Sequence, residues 1–133
     1  MNLANGRRET EGRKMTGKFE VYRDKAGEFR FRLLGGNGQN LLASESYKEK
    51  RSAFNGIASI KKNCLIAERF VRKNGIDGRP YFVLKAANHE VIGKSQSFDV
   101  QSQVETGIET TVAVAPVAEV EDLTKRIRRT NAA

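Results

Sequence analysis

A chain of 133 residues with one cysteine, one histidine and no tryptophan has room for one modest core that buries about two-thirds of its surface. Its 24 Lys and Arg against 16 Asp and Glu give a net charge of +8, which favours attraction to polyanions without specifying a fold. No apolar run approaches the ~18 residues of a spanning helix. The first residues lack a signal-peptide stretch, and the lone Cys64 allows no internal disulfide, so a cytoplasmic protein without membrane attachment is expected.

Residues 1–16 are polar and basic and read as a flexible leader. Phe19-Glu20-Val21-Tyr22-Arg23 then alternates apolar and polar, the period of a half-buried strand. After the turn residues Ala26-Gly27, the run Glu28-Phe29-Arg30-Phe31-Arg32-Leu33 alternates more cleanly. It places Phe29, Phe31 and Leu33 on one face and Arg30 and Arg32 on the other. Gly35-Gly36-Asn37-Gly38 is a hairpin signal, because Asn and Gly tolerate positive φ; a short third strand follows over 40–43. Ser46-Tyr47-Lys48-Glu49 fits the S-x-x-E capping box and predicts a helix. Its apolar stripe is Ala53, Ile57, Ile60 and Cys64. Gly56 lies beside that stripe. An interior glycine costs up to about 1 kcal/mol against alanine, so either the helix breaks there or its backbone closely approaches the sheet.

A strand over 68–73 comes next, then strands over 79–85 and 90–93 joined by Ala87-Asn88-His89. Pro80 falls near a strand start, where its missing N–H is tolerable. A second helix is expected with the stripe Val104, Ile108, Thr111 and Ala115, although Thr110-Thr111-Val112-Ala113-Val114 has strand propensity. Over 118–127 the signals conflict. The repeat described next asks for a strand over 118–123. Val120, Leu123 and Ile127, however, fall at helical spacing, with acids first and bases last, the order that suits a helix dipole. Residues 124–133 read as a flexible basic tail.

Sliding the chain against itself by 51 positions aligns Phe19/Phe70, Gly27/Gly78, Phe31/Phe82, Leu33/Leu84, Asn37/Asn88, Ser44/Ser95, Ser46/Ser97, Gly56/Gly107 and Ile57/Ile108 without a gap. Chance would give about two or three such identities over this length, and these are the residues that set structure: glycines, core apolar positions and the serines before a helix. The reading is therefore an α+β fold built by tandem duplication of a β-β-β-α-β unit. It forms a single domain over 17–123, with copies 17–67 and 68–123. Residues 17–67 carry ten basic and five acidic side chains and residues 68–116 six of each, so the excess positive charge sits mainly on the first copy.

Tyr81-Phe82-Val83-Leu84-Lys85-Ala86-Ala87-Asn88-His89 followed by Ile92-Gly93-Lys94-Ser95-Gln96-Ser97 resembles the second repeat of the YegP-like family. Phe29-Arg30-Phe31-Arg32-Leu33, Ser44-Glu45-Ser46-Tyr47 and Asn55-Gly56-Ile57-Ala58-Ser59-Ile60-Lys61-Lys62 resemble its first. The similarity covers about residues 17–115. It implies that the two copies complete one antiparallel sheet packed by two helices and exchange their last strands. The family has no assigned activity, so it implies no catalytic residue. Two departures stand out. Val112-Ala113-Val114 replaces a lysine-bearing helix end, and family members begin just before the first strand, which makes Met15 an alternative start to Met1, with a genuine N-terminal arm as the other reading.

Enzyme signatures are missing from the sequence. A zinc site needs three or four ligands at suitable spacing, against one histidine and one cysteine. His89 reads as a solvated turn residue and Cys64 as a small core residue. Gly35-Gly36-Asn37-Gly38 lacks the lysine and hydroxyl of a phosphate loop and joins strands instead of opening a helix. No catalytic, cofactor-binding or metal-binding residue is assigned, and a non-enzymatic binding module is expected. Its candidate site is the polar face of the first hairpin, with Tyr22, Arg23, Arg30 and Arg32, joined by Tyr81 at the position equivalent to Arg30. Arginines beside aromatic rings on an open sheet suit weak, non-specific nucleic-acid binding. The alternatives are a solvated face whose charges pair with Glu20 and Glu28 across the strands, and a protein-interaction or structural module with incidental charge. Lys48, Lys50, Arg51, Lys61 and Lys62 extend the basic surface along the first helix, where solubility explains them. With two copies in one chain, a monomer is self-sufficient.

Overall fold

Alternation in the first two strands buries Phe19, Val21, Phe29, Phe31 and Leu33 and leaves Lys18, Glu20, Tyr22, Arg30 and Arg32 on the opposite face. In the computed structural model, which describes residues 16–125, these strands are β1 (Gly17–Arg23) and β2 (Phe29–Gly35). They are followed by β3 (Asn40–Ala43), α1 (Lys50–Asn63), β4 (Phe70–Asn74), β5 (Pro80–Lys85), β6 (Val91–Lys94), α2 (Gln101–Val114) and β7 (Glu119–Asp122). The leader and tail expected at 1–16 and 124–133 fall almost wholly outside the described residues, as does the choice between Met1 and Met15.

The seven strands form one sheet in the order β4-β5-β6-β3-β2-β1-β7. An offset of 51 carries β3 onto β6 and α1 onto α2 residue for residue. Bulges at Leu33/Leu34 and Leu84/Lys85 obey the same offset. The copies meet where Ala43 pairs with Lys94, themselves equivalent positions, so an approximate two-fold relates the halves across this seam. Each helix then carries the chain into the other half. The strand trailing α1, β4, forms the far edge beyond β5, and the strand trailing α2, β7, lies beside β1. The last strands are exchanged, as the resemblance implies.

All neighbours are antiparallel except β7, which runs parallel to β1, so the sheet is mixed where a wholly antiparallel one was expected. Hairpins force antiparallel pairing, but a strand delivered by a helical connection is free of that constraint. The strand reading of 118–123 holds over Glu119–Asp122: Leu123 N donates to Val21 O (2.8 Å) and a turn follows. The helical spacing of Val120 and Leu123 loses because the neighbouring acids find cations across β1 and α1. Lys18 Nζ reaches Glu121 (2.7 Å) and Lys50 Nζ reaches Asp122 (3.0 Å), while Lys61 Nζ donates to Ala118 O (2.7 Å). Lys50 and Lys61, read above as solubilising, therefore clamp the second copy's last strand onto the first copy.

Both helices pack on the same face of the sheet, over two equivalent ring stacks. Phe19 meets Phe31 edge-on at 6.0 Å, and Phe31 stacks on Tyr47 at 6.4 Å. Phe70, Phe82 and Phe98 repeat this at 5.8 and 6.4 Å. α1 runs unbroken through Gly56, which approaches the rings of Phe31 and Tyr47, so close approach, and not a helix break, explains the paired glycines. Ser44 and Ser95 act as buried latches where β3 and β6 leave the sheet. Ser44 Oγ accepts from Phe31 N (2.9 Å) and donates to Glu45 O (2.7 Å), and Ser95 does the same between Phe82 N and Gln96 O.

The expected capping box does not form. α1 begins at Lys50 with Glu49 as N-cap and no side-chain cap bond. Tyr47 is instead bridged to Phe29 by two backbone bonds of 2.7 Å, which keeps that segment extended. In the second copy Phe98 N donates to Pro80 O (2.8 Å), and Pro80 has no N–H to return. Here Gln103 Oε1 accepts from Asp99 N (2.9 Å) and Val100 N (3.3 Å), so α2 is capped by a side chain of its own first turn.

Candidate nucleic-acid interface

The face opposite the helices is built from the polar positions of the alternating strands. One row of paired residues crosses all seven strands: Glu121, Glu20, Arg32, Ala43, Lys94, Val83 and Val71. At ~4.8 Å per strand it is roughly 29 Å long, enough for several nucleotides. The row is anionic at the β7 edge, cationic at the seam and apolar towards β4. Beside the seam lies an open trough of about 420 Å³ lined by Arg30, Ala43, Ser44, Glu45, Ile92 and Lys94, among others.

Of the candidate residues, Tyr22, Arg30, Arg32 and Tyr81 share this open face. Tyr22 pairs with Arg30 and Glu20 with Arg32, while Tyr81 pairs with Lys73 and Val83 with Lys94. Arg23 does not join them. It continues the Phe19-Val21 side of β1 and pairs with Phe29, its guanidinium 4.5 Å over the Phe29 ring and bonded to Gly27 O (3.0 Å). An odd position on a strand whose even positions face solvent cannot share their face.

The two face arginines are paired. Arg30 Nε bonds Asp24 Oδ2 at 2.9 Å, and Arg32 Nε bonds Glu20 Oε1 at 2.8 Å; Glu28, expected as a partner, is replaced by Asp24. The Arg30 guanidinium, helped by the N–H groups of Glu28 and Ala26, holds Asp24 below the usual carboxylate range, and Asp24 in turn raises Arg30. Arg32, with Lys18 adding to it against the opposing effect of burial, holds Glu20 low as well. The first copy's excess of positive charge is thus partly neutralised at the sheet surface.

Sequence reading missed Lys94, the cation best placed for a ligand. It sits over the Tyr81 ring, Nζ 4.9 Å from the centroid, as Arg32 sits 4.4 Å over Tyr22. Lys94 forms no ion pair among the described residues. Lys73, directly opposite Tyr81, forms none either. No alternation marks Lys94: β6 is four residues long, its burial runs exposed, buried, buried, exposed, and its pairing with β5 is bulged. Elsewhere, Cys64 is buried in the core, where burial pushes its thiol up, and His89 is an exposed turn residue. Among the described residues no three His, Cys, Asp or Glu side chains gather to hold a metal, and no helix is long and apolar enough to cross a membrane.

Fold and face together define a duplicated α+β module with one helix-covered and one open sheet face. The family described as "Domain of unknown function (DUF1508)" matches twice, over residues 24–70 and 76–122, one match in each copy. The chain is 49% identical to the UPF0339 protein in the ptx operon 5' region of Stutzerimonas stutzeri, over 80% of this chain and 96% of that one. It is 43% identical to the UPF0339 protein YegP of Escherichia coli K12, over 83% of this chain and all of that one. Solution NMR structures of two relatives superpose on it. The Escherichia coli YegP structure does so with a TM-score of 0.79 at 42% identity, covering 85% of this chain and 97% of that one. The Shewanella oneidensis UPF0339 protein gives 0.78 at 36%, covering 82% and 92%. The chain belongs to the YegP-like UPF0339 family, and the Escherichia coli YegP structure is described as that of a protein of unknown function.

Proposed function

We propose that this protein is a non-enzymatic binding module whose open sheet face takes a short stretch of single-stranded nucleic acid. The observation that carries the reading is two cation-on-tyrosine pairs at non-equivalent positions of the copies, Arg32 over Tyr22 and Lys94 over Tyr81, on one open face. Rings on an open sheet stack on bases regardless of sequence, and cations beside them track the phosphates. Because Arg30 and Arg32 already hold carboxylates, the electrostatic share falls mainly to Lys94 and Lys73, and the affinity is correspondingly weak.

Fluorescence anisotropy with labelled single- and double-stranded oligonucleotides tests this on the full chain. The expected result is micromolar, sequence-tolerant binding of single strands. Its log K should fall with log salt by about 0.7 per contacted phosphate. Tyr81→Ala should weaken binding by about 1–3 kcal/mol, and Lys94→Glu should reduce the salt slope as well as the affinity. Absence of binding at low salt, or binding indifferent to both substitutions, would overturn the reading.

A further inference from the structure

We infer that the outer edge of β4 is a strand-addition site for an acidic extended segment of a partner protein. The internal two-fold makes the case. It maps β1 onto β4, and the outer edge of β1 carries β7, an acidic strand of sequence Glu119-Val120-Glu121-Asp122. The outer edge of β4 carries no strand among the described residues, because the strand trailing α1 is β4 itself. One half of the duplication thus displays the ligand that fits the edge of the other left unpaired among the described residues.

The backbone is in the right phase. Asp24 N donates to Glu28 O and, 51 residues on, Gly75 N donates to Arg79 O. Alternation from these bonds directs Arg72 and Asn74 outward. Arg72 is the equivalent of Val21, whose carbonyl accepts Leu123 N at 2.8 Å. The charge also fits. Lys18, which reaches Glu121 at 2.7 Å, corresponds to Arg69 in the 3-10 turn that leads into β4, and within β4 Val71 and Lys73 share one side. Neither Arg69 nor Lys73 has an ion pair among the described residues. Main-chain bonds supply affinity in strand addition and flanking side chains supply choice; here the flanking cations choose acids. A second copy's β4 would bring Arg69 and Lys73 against like charges, which disfavours that pairing, and residues 126–133, with three arginines and no acid, have the wrong sign.

The probe is a capped synthetic peptide with the sequence of residues 117–124, titrated into the isotope-labelled full-length protein and followed by amide NMR. The edge assignment expects shifts confined to 69–75, with slowed exchange at the Arg72 and Asn74 N–H groups. It expects at least a tenfold loss of affinity in Arg69→Glu/Lys73→Glu, and no binding of the same peptide with lysines in place of its acids. Three results would overturn it: no shifts at millimolar peptide, shifts at β1 and β7 showing exchange into the occupied edge, or a concentration-dependent dimer that protects the β4 amides without peptide.

Discussion

Gly56 lies so close to Phe31 that a Cβ built on it would stand 2.8 Å from Phe31 Cε2, and also 2.8 Å from Tyr47 Oη. Its repeat partner Gly107 is slightly looser, with a Cβ there 3.1 Å from both Phe82 Cε1 and Phe98 Cζ. Gly56→Ala gains helix propensity of up to about 1 kcal/mol but overpacks a filled core, which costs about 1–3 kcal/mol. Net destabilisation is expected, larger for Gly56→Ala than for Gly107→Ala, as read from urea midpoints at unchanged m-value.

Ser44→Ala strands the buried Phe31 N–H, and Ser95→Ala the Phe82 N–H. Each should cost about 1–3 kcal/mol, the penalty of an unsatisfied buried donor. The two sites flank the seam pair Ala43 and Lys94 and line one trough, so the double variant should depart from additivity by about 0.5 kcal/mol or more. Equilibrium unfolding of the four proteins checks both numbers.

His89 holds a φ of 74° at the position where the first copy has Gly38 with a φ of 85°. A side chain pays a steric cost of about 1 kcal/mol or more in this left-handed region, partly offset by the freedom glycine has when unfolded. His89→Gly should therefore raise stability by a few tenths to about 1 kcal/mol, and Gly38→His should lower it. Thermal unfolding of both variants tests the sign.

Arg72 grips Glu105 through Nε and Nη2 at 2.6 and 2.7 Å, and with Gln101 this lowers the Glu105 carboxyl to about 2. A folded pKa below the unfolded value of about 4.3 gives stability that is fully present above that value and is lost as the pH falls towards 2. Both side chains are half exposed, so the contribution is at most about 1 kcal/mol. In a carboxyl-carbon NMR titration, Arg72→Met should raise Glu105 towards about 4.3 without reaching it, because Gln101 still donates to it; an unmoved midpoint would contradict the assignment.

The architecture was legible because duplication supplied each ambiguous segment with a clearer twin. The segment 110–114, strand-like on propensity, could be read as helix from its alignment with α1, and the structure agrees. What escaped was set by contacts distant in sequence. The capping box failed because Tyr47 bonds β2, about 18 residues back in the chain and invisible to a local motif. Lys50 and Lys61 looked like surface charge because their partners, Asp122 and Ala118, lie 72 and 57 residues away. At the open face, period-two alternation located Tyr22, Arg30, Arg32 and Tyr81. Arg23 was misplaced by proximity in sequence, and Lys94 was lost because it meets Tyr81 only through the β5–β6 pairing.

Amide NMR mapping of the full-length protein titrated with a short oligothymidylate at low salt tests the open-face reading most directly. The expected result is a contiguous set of shifts at Tyr22, Arg32, Lys73, Tyr81 and Lys94, with α1 and α2 unmoved and the shifts fading as salt is raised. Shifts centred on Lys48 and on the α1 residues Arg51 and Lys62, or none at all, would contradict it.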